Sequence, residues 1–410
     1  MSGALDGIRI LDLSWGVAGP LGVLLLAEQG ADTIKVEPPG GDPFRVYDGY
    51  KVWTRSRRSV TCNLKSDAGR DAFLKLAATA DVVMESFRPG VMDRLGVGYE
   101  TLSAVNPRLV YCSCPAYPPG HRLADKPGWD ALVQAASGEQ WEQPGWRPGP
   151  IFLHMPMPSM GAIYLIPAGI LAALVARETT GRGQRVSTSL LQGVFLYTTQ
   201  IWQHTTNGSA QFHNLMAKTY PPGIHQPMIF ECQNREFLHL SMMSGLAPTR
   251  TIEDIVGMPE PDPKELAGLL PAEQAMVLSN RRREAFKKFD RTALVAELRA
   301  CNYAVEAVIT AEEQYTHPQT IANGMVATVD DPDLGPTTQM GVPVHLLRTP
   351  GAIQGPQPCA GEHNAEIWGA LGYGAGDLDE ITGAGTPARP GFIGGARVEA
   401  AVAGGAGGGA

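Results

Sequence analysis

The chain reads as an α/β protein: a large domain with a parallel sheet of Rossmann-like pattern, followed by a smaller α+β domain. Three observations predict this. Short apolar runs of strand length alternate with helix-length segments over the first half of the chain. That order favours parallel pairing, because each crossover helix returns to cover the sheet. The polar stretch 198–224 has no clean hydrophobic period and separates this half from a new group of strands. At 410 residues with 44% hydrophobic and 18% charged side chains, the chain has the apolar surface for one large core and one small one.

Arg9-Ile10-Leu11-Asp12-Leu13 is the first predicted strand, and Ser14 to Pro20 is a glycine-containing loop. Leu21 to Gln29 follows as a helix stopped by Gly30, then Thr33 to Glu37 as a strand. Helix Ala68 to Ala80, strand Asp81 to Met84, a helix near Tyr99 to Ala104 and strand Arg108 to Cys112 continue the alternation. Ala162 to Ala176 is a strongly apolar helix closed by Arg177, and Pro167 predicts a kink in it. Thr180 to Gln184 is a turn leading into a short strand, Gln184 to Ser189. Beyond the linker, Ile229 to Met242 reads as strands around a turn at Gln233-Asn234-Arg235, and helices with Lys, Arg and Glu on one face follow from Arg281 to Ala300. Pro350 to Pro358 is a proline-rich return segment and Gly361 to Gly372 a final helix. The expected division is 1–197 for the first part of the large domain, 198–224 for the linker and 225–330 for the small domain. Residues 331–383 then return to the large domain, and 384–410 form a low-complexity tail ending in Gly404 to Ala410. The sequence contains no internal repeat.

A net charge of −8 argues against nucleic acid as a partner, since phosphate binding needs a basic surface. The amino-terminal segment has no basic stretch leading into a long apolar core, and Leu21 to Ala27 is too short to span a bilayer, so no membrane partner and a cytoplasmic location are expected. The six cysteines are scattered, and Cys112-Ser113-Cys114 is not a zinc spacing, so reduced, buried thiols and no metal are expected. No Gly-x-Gly-x-x-Gly follows the first strand, which argues against a dinucleotide site. Ligands of such sheets bind beyond the carboxyl ends of the strands, here Ser14 to Pro20 and Glu85 to Gly90.

An ordered set of motifs carries a family resemblance. They are Leu5-Asp6-Gly7-Ile8-Arg9-Ile10-Leu11-Asp12, Ala18-Gly19-Pro20, Gly30 to Glu37 with Gly41-Asp42-Pro43, and Phe87-Arg88-Pro89-Gly90. Asn106 to Val110, Arg177 with Thr180 to Gln184, Gly361-Glu362-His363-Asn364 and Leu371-Gly372-Tyr373 follow. In this order the set resembles the class III CoA-transferases, the group of formyl-CoA transferase, carnitine CoA-transferase and the α-methylacyl-CoA racemases. The resemblance implies a small domain inserted into a large one, an interlocked dimer, coenzyme A as acyl-CoA substrate, and a carboxylic acid as the second substrate. It also implies covalent catalysis by an aspartate through a mixed anhydride and an enzyme–CoA thioester.

Carried over by position, Val17 and Ala18 contact CoA, while Arg58 and Lys65 lie near its phosphates and adenine. Phe87 and Arg94 hold adenine and phosphate, and Arg88 is presented by a Pro-Gly turn. Ser86 replaces a usual asparagine. Trp15 replaces a histidine and either stacks on the ligand or caps the core. Asp130 matches a carboxylate of the active site, with helix capping as its other reading. Ser159 stands where the family has its nucleophilic aspartate, and no Asp or Glu occurs between Glu142 and Glu178 to replace it. A serine needs an activating base, and His154 is the nearest candidate in sequence. The family's glycine-rich oxyanion loop has Ser244-Gly245 as its nearest counterpart. Ser159 leaves open three readings: a homodimeric transferase, a non-catalytic subunit paired with an Asp-bearing paralogue, and a different acyl-CoA reaction on the same scaffold.

Overall fold

The computed structural model describes residues 3–142, 150–197, 228–241, 246–259, 261–385, 391–393 and 396–398. The linker 198–224 and the segment Ser244-Gly245 lie outside them. The chain falls into two compact units. One comprises Met1–Gln140, Phe152–Thr199 and Ala322–Ala410, the other Trp141–Ile151 and Gln200–Ile321.

The larger unit is built on six strands: β1 Arg9–Asp12, β2 Asp32–Glu37, β3 Arg58–Thr61, β4 Val82–Glu85, β5 Val110–Ser113 and β6 Arg185–Ser187. All pairings are parallel and the order is β3-β2-β1-β4-β5-β6, a doubly wound Rossmann-like sheet. The helices between them are α1 Ala18–Ala27, α2 Tyr50–Trp53, α3 Asp67–Ala78, α4 Val91–Arg94 and α5 Tyr99–Val105. Then follow α6 Asp130–Ser137, α7 Glu139–Glu142, α8 Met157–Thr180 and α9 Leu190–Phe195. Side chains alternate across each strand, so Ile10, Val82 and Val110 enter one core with Val23, Ile166 and Ile170. Leu11, Val83 and Tyr111 enter the other core with Phe73, Leu76 and Trp368. Burial of both faces explains why these strands read as near-continuous apolar runs.

The apolar helix predicted from Ala162 begins earlier, at Met157, because Pro158 is well suited to a first helical turn. It runs as one helix through the buried Pro167. By length and apolarity it could span a bilayer, but half of its most apolar window is buried in the protein, chiefly against α1 and α9.

Strand β3 is not foreseen in the sequence, because it follows the basic cluster Arg55-Ser56-Arg57-Arg58. Two of those arginines are interior. Arg55 pairs with Glu28 at 2.7 Å and Arg57 with Asp12 at 2.6 Å. Around the carboxyl ends of β1 and β2, Lys35 lies 3.4 Å from Asp42 and 3.8 Å from Asp12, and donates to the Ser14 carbonyl. Arg45 clasps Glu37, and Tyr50 donates its hydroxyl to Asp42. Burial alone would raise Glu37, but Arg45 and Ser59 together hold it below the usual carboxylate range. Asp42 moves the other way, because burial outweighs Lys35 and Tyr50.

As an edge strand, β3 is sealed by the C-terminal motif. Asn364 Oδ1 accepts from the Thr61 amide at 2.9 Å, and the His363 amide donates to the Ser59 carbonyl at 2.9 Å. Two helices, Asn364–Ala370 and Ala375–Thr382, follow. The hairpin Val326–Asp331/Gly335–Met340 belongs to this unit through Lys51–Asp331 at 2.9 Å and Arg55–Gln339 at 2.9 Å. Within the stretch read as a low-complexity tail, Gly391–Ile393 pairs with Ala396–Val398.

In the smaller unit, Ile229–Glu231, Phe237–Ser241 and Ala304–Val308 form an antiparallel sheet over a core that includes Phe230, Leu238, Phe286 and Leu298. The helical stretch Arg281 to Ala300 is divided: Pro271–Phe286 ends before Asp290, whose side chain caps Arg291–Ala300 by accepting from the Ala293 amide.

Breaking a buried pair leaves the surviving charge uncompensated. Arg57→Met is therefore expected to cost about 3–5 kcal/mol in a urea titration. The partly exposed pairs of Arg58 predict less than about 1 kcal/mol for Arg58→Met.

Candidate functional site

The strand order reverses between β1 and β4, so the loops leaving them diverge and open a crevice. A cavity of about 800 Å³ lies there, lined from the carboxyl ends of β1 to β5 and by α4, α6, α8 and α9. Leu13, Trp15, Gly16, Val17 and Ala18 come from the β1–α1 loop and the start of α1, and Ser86, Phe87 and Arg88 from the β4–α4 loop. Ser86 joins the two loops: its hydroxyl accepts from the Trp15 amide at 2.7 Å and donates to the Trp15 carbonyl at 3.1 Å. Trp15 and Phe87 then meet edge to face with centroids 5.4 Å apart. A second aromatic pair, Phe44 and Trp129 at 6.0 Å, also borders the cavity.

Of the eleven residues singled out in the sequence, nine line this one cavity: Trp15, Val17, Ala18, Lys65, Ser86, Phe87, Arg88, Asp130 and Ser159. Lys65 and Arg88 are its exposed cationic lining, and Arg88 also donates to the Asp125 carbonyl at 2.8 Å. Arg58 and Arg94 are not brought to it. Arg58 is the first residue of β3, at the amino end of the sheet, and is held by Asp32 and Glu366. Arg94 ends α4 and is exposed, although Val91 and Leu95 beside it reach the lining.

The geometry at Ser159 joins the two readings of Asp130 that the sequence left open. Its amide donates to Asp130 Oδ1 at 2.7 Å and its hydroxyl to Asp130 Oδ2 at 2.8 Å. Asp130 lies in the first turn of α6, whose cap position is Trp129, and its carboxylate caps the first turn of α8 instead. Lining the cavity and capping a helix are therefore one arrangement, favoured by the positive ends of two helices. Burial nevertheless raises the Asp130 carboxyl above its ordinary value, against the lowering effect of both Ser159 bonds. His154 is exposed, stacks edge-on against Phe152, and is absent from the cavity lining, so it is not the base for Ser159.

Sequence reasoning missed Glu139. It is buried, neither of its carboxyl oxygens has a hydrogen-bond partner, and burial followed by the charge of Asp130 raises it. Also missed was Glu37, a lining residue whose carboxylate is taken up by Arg45, Ser59 and the Asp42 amide. The thiols in the lining are ordinary buried cysteines: burial pushes Cys62 up to about 12 and Cys114 well up, so neither is a thiolate near neutrality. Among the described residues, no group of three or more His, Cys, Asp or Glu is gathered as metal ligands would be.

The model of CoA-transferase family III matches residues 5–364, most of the chain. The chain belongs to CoA-transferase family III. Among this family's relatives, succinyl-CoA:mesaconate CoA-transferase of Haloarcula hispanica is 31% identical over 406 residues, covering 91% of this chain and 98% of the relative. Acetyl-CoA:oxalate CoA-transferase of Acetobacter aceti is 34% identical over 275 residues, 63% of this chain and 68% of the relative. The solved structure of Rv3272 from Mycobacterium tuberculosis superposes with a TM-score of 0.72 at 26% identity, over 89% of this chain and 99% of that one. A CAIB/BAIF family protein from Brucella suis shares the fold, with a TM-score of 0.75 at 23% identity, over 90% of this chain and 100% of that one.

The bracket between Asp130 and Ser159 is set by how α8 crosses α9. A Cβ on Gly161 would lie 2.1 Å from the Gly193 carbonyl oxygen, and one on Gly193 would lie 2.3 Å from that of Pro158. Gly161→Ala should push the start of α8 away from α9, lower stability by about 1–3 kcal/mol and loosen the bracket. Thermal melting and an acyl-CoA exchange assay check both effects.

Proposed function

We propose that this family III CoA-transferase binds an acyl-CoA thioester in the cavity beyond β1 to β5 and moves its CoA to a second carboxylic acid. The observation that carries this reading is the convergence of an aromatic pair, exposed cations and a carboxylate in one crevice at the switch point of the sheet. Trp15 and Phe87 offer flat apolar surface for the adenine or pantetheine. Lys65 and Arg88 supply positive charge for the phosphates on a chain that is acidic overall. Asp130 supplies the charge for chemistry, at the end of the cavity where α6 meets α8. That an acetyl-CoA:oxalate and a succinyl-CoA:mesaconate CoA-transferase are among its relatives supports the reaction class. A cytoplasmic homodimer is part of the same proposal.

The test is incubation of the purified chain with acetyl-, succinyl- and formyl-CoA and a panel of acids, with CoA products read by mass spectrometry. Exchange by the chain alone is the expected result. Tight CoA binding without exchange would favour the reading as a subunit that needs an Asp-bearing partner. Lys65→Ala and Arg88→Ala should each raise the KM for acyl-CoA about 3–10-fold while leaving kcat close to the parent value. A fall in kcat at unchanged KM would remove both residues from CoA binding.

A further inference from the structure

Resting on the transferase reading above, we infer that the nucleophile of this protein is the carboxylate of Asp130, with Ser159 as the residue that positions it. Two acids line the cavity among the described residues, Glu37 and Asp130. Glu37 is fully engaged: Oε1 accepts from Arg45 Nη2 and Ser59 Oγ, and Oε2 accepts from Arg45 Nε and the Asp42 amide. Asp130 is only half-buried and receives one bond on each oxygen, both from Ser159, so lone pairs on both oxygens remain available. Ser159 borders the cavity but is only 2% exposed, and its hydroxyl is committed to Asp130. Its hydroxyl proton is directed at Asp130 Oδ2, so the hydroxyl acts here as a donor to an anion.

Chemistry points the same way. Attack by a serine would give an ester, from which the CoA thiolate cannot readily recover a thioester. Attack by a carboxylate gives an anhydride, which a thiolate opens downhill. In balanced form, the Asp130 carboxylate adds to the acyl-CoA carbonyl and the carbon–sulfur bond breaks, giving the Asp130 mixed anhydride and the CoA thiolate. The thiolate then attacks the Asp130 carbonyl of the anhydride, releasing the first acid as its carboxylate and leaving an Asp130–CoA thioester. The second acid repeats these steps in reverse, ending as its CoA thioester with Asp130 restored. No proton, oxidant or reductant is consumed.

Glu139, on the next helix, is the titratable group beside Asp130, while α8 and α9 bring Ser159 and Leu190 but no charged side chain into the lining. Glu139 is raised by burial and then by the charge of Asp130, and neither of its oxygens has a hydrogen-bond partner. The two bonds from Ser159 favour the anion on Asp130.

The experiment traps the intermediate. The intact chain is incubated with succinyl-CoA or acetyl-CoA and hydroxylamine, and its peptides are mapped by mass spectrometry. A hydroxamate on Asp130 is expected. Asp130→Asn should lose it and about 10³–10⁶-fold of the exchange rate while still binding CoA in calorimetry. Ser159→Ala should keep the hydroxamate on Asp130 with exchange lowered about 10-fold. Its acid limb should move to higher pH, because a bond favouring the anion has been removed. An acyl ester on Ser159 overturns the inference, as does exchange in Asp130→Asn within about 10-fold of the parent. CoA binding by the parent with no adduct on Asp130 overturns it too, while leaving the cavity's assignment standing. Failure to bind CoA at all overturns both.

Discussion

The cavity rests on a buried set of alternating charges. Lys35, Arg45 and Arg57 lie among Asp12, Glu37 and Asp42, where the carboxyl ends of β1 and β2 meet. Each member fixes a piece of backbone as well as a partner. Lys35 reaches the Ser14 carbonyl, Arg57 the carbonyls of Pro20 and Trp53, and Glu37 the Asp42 amide. The loops that line the crevice are thus tied to charges that are out of water and cannot relax independently. A hydrophobic core of the same volume would cost less to desolvate. It would not, however, specify where Trp15 and Phe44 stand.

This arrangement divides the site into a rigid half and a chemical half. Around β1, β2 and β4, ion pairs and the Ser86 bridge hold the walls. Across the cavity, α6 and α8 meet through the Asp130–Ser159 bracket, with glycines letting α8 and α9 approach at backbone distance. The bracket at 159 lies at the start of α8, outside the strands.

Much of the larger unit was legible because both faces of its sheet are covered. Ile10-Leu11, Val82 to Met84 and Leu109 to Cys112 are apolar on successive residues, and the two core clusters divide them between faces, while Ile34 and Val36 alternate with polar residues and enter one cluster. The edge strand β3 escaped notice because its signal was masked by arginines. Arg55 and Arg57 look solvated in sequence, since their partners Glu28 and Asp12 are 27 and 45 residues away. The loops of the site were legible through the parallel-sheet rule. The bracket itself was not, because 29 residues separate Asp130 from Ser159 and neither forms a motif alone. Arg58 matched by position but not by place, because a strand carries its first residue to the far end of the sheet, whatever the residue's charge.

The C-terminal closure of β3 has a consequence in time. Ser59 and Thr61 are sealed by His363 and Asn364, partners 304 and 303 residues later. At about 5–20 residues per second, a ribosome takes on the order of 15–60 s to cover that distance. Once Leu174 has been made, only Ile367, Trp368 and Ile381 of the buried residues in these two cores are still to come, and the edge of the first sheet still stands open. During synthesis, the strand that emerges third is the one left unsealed longest.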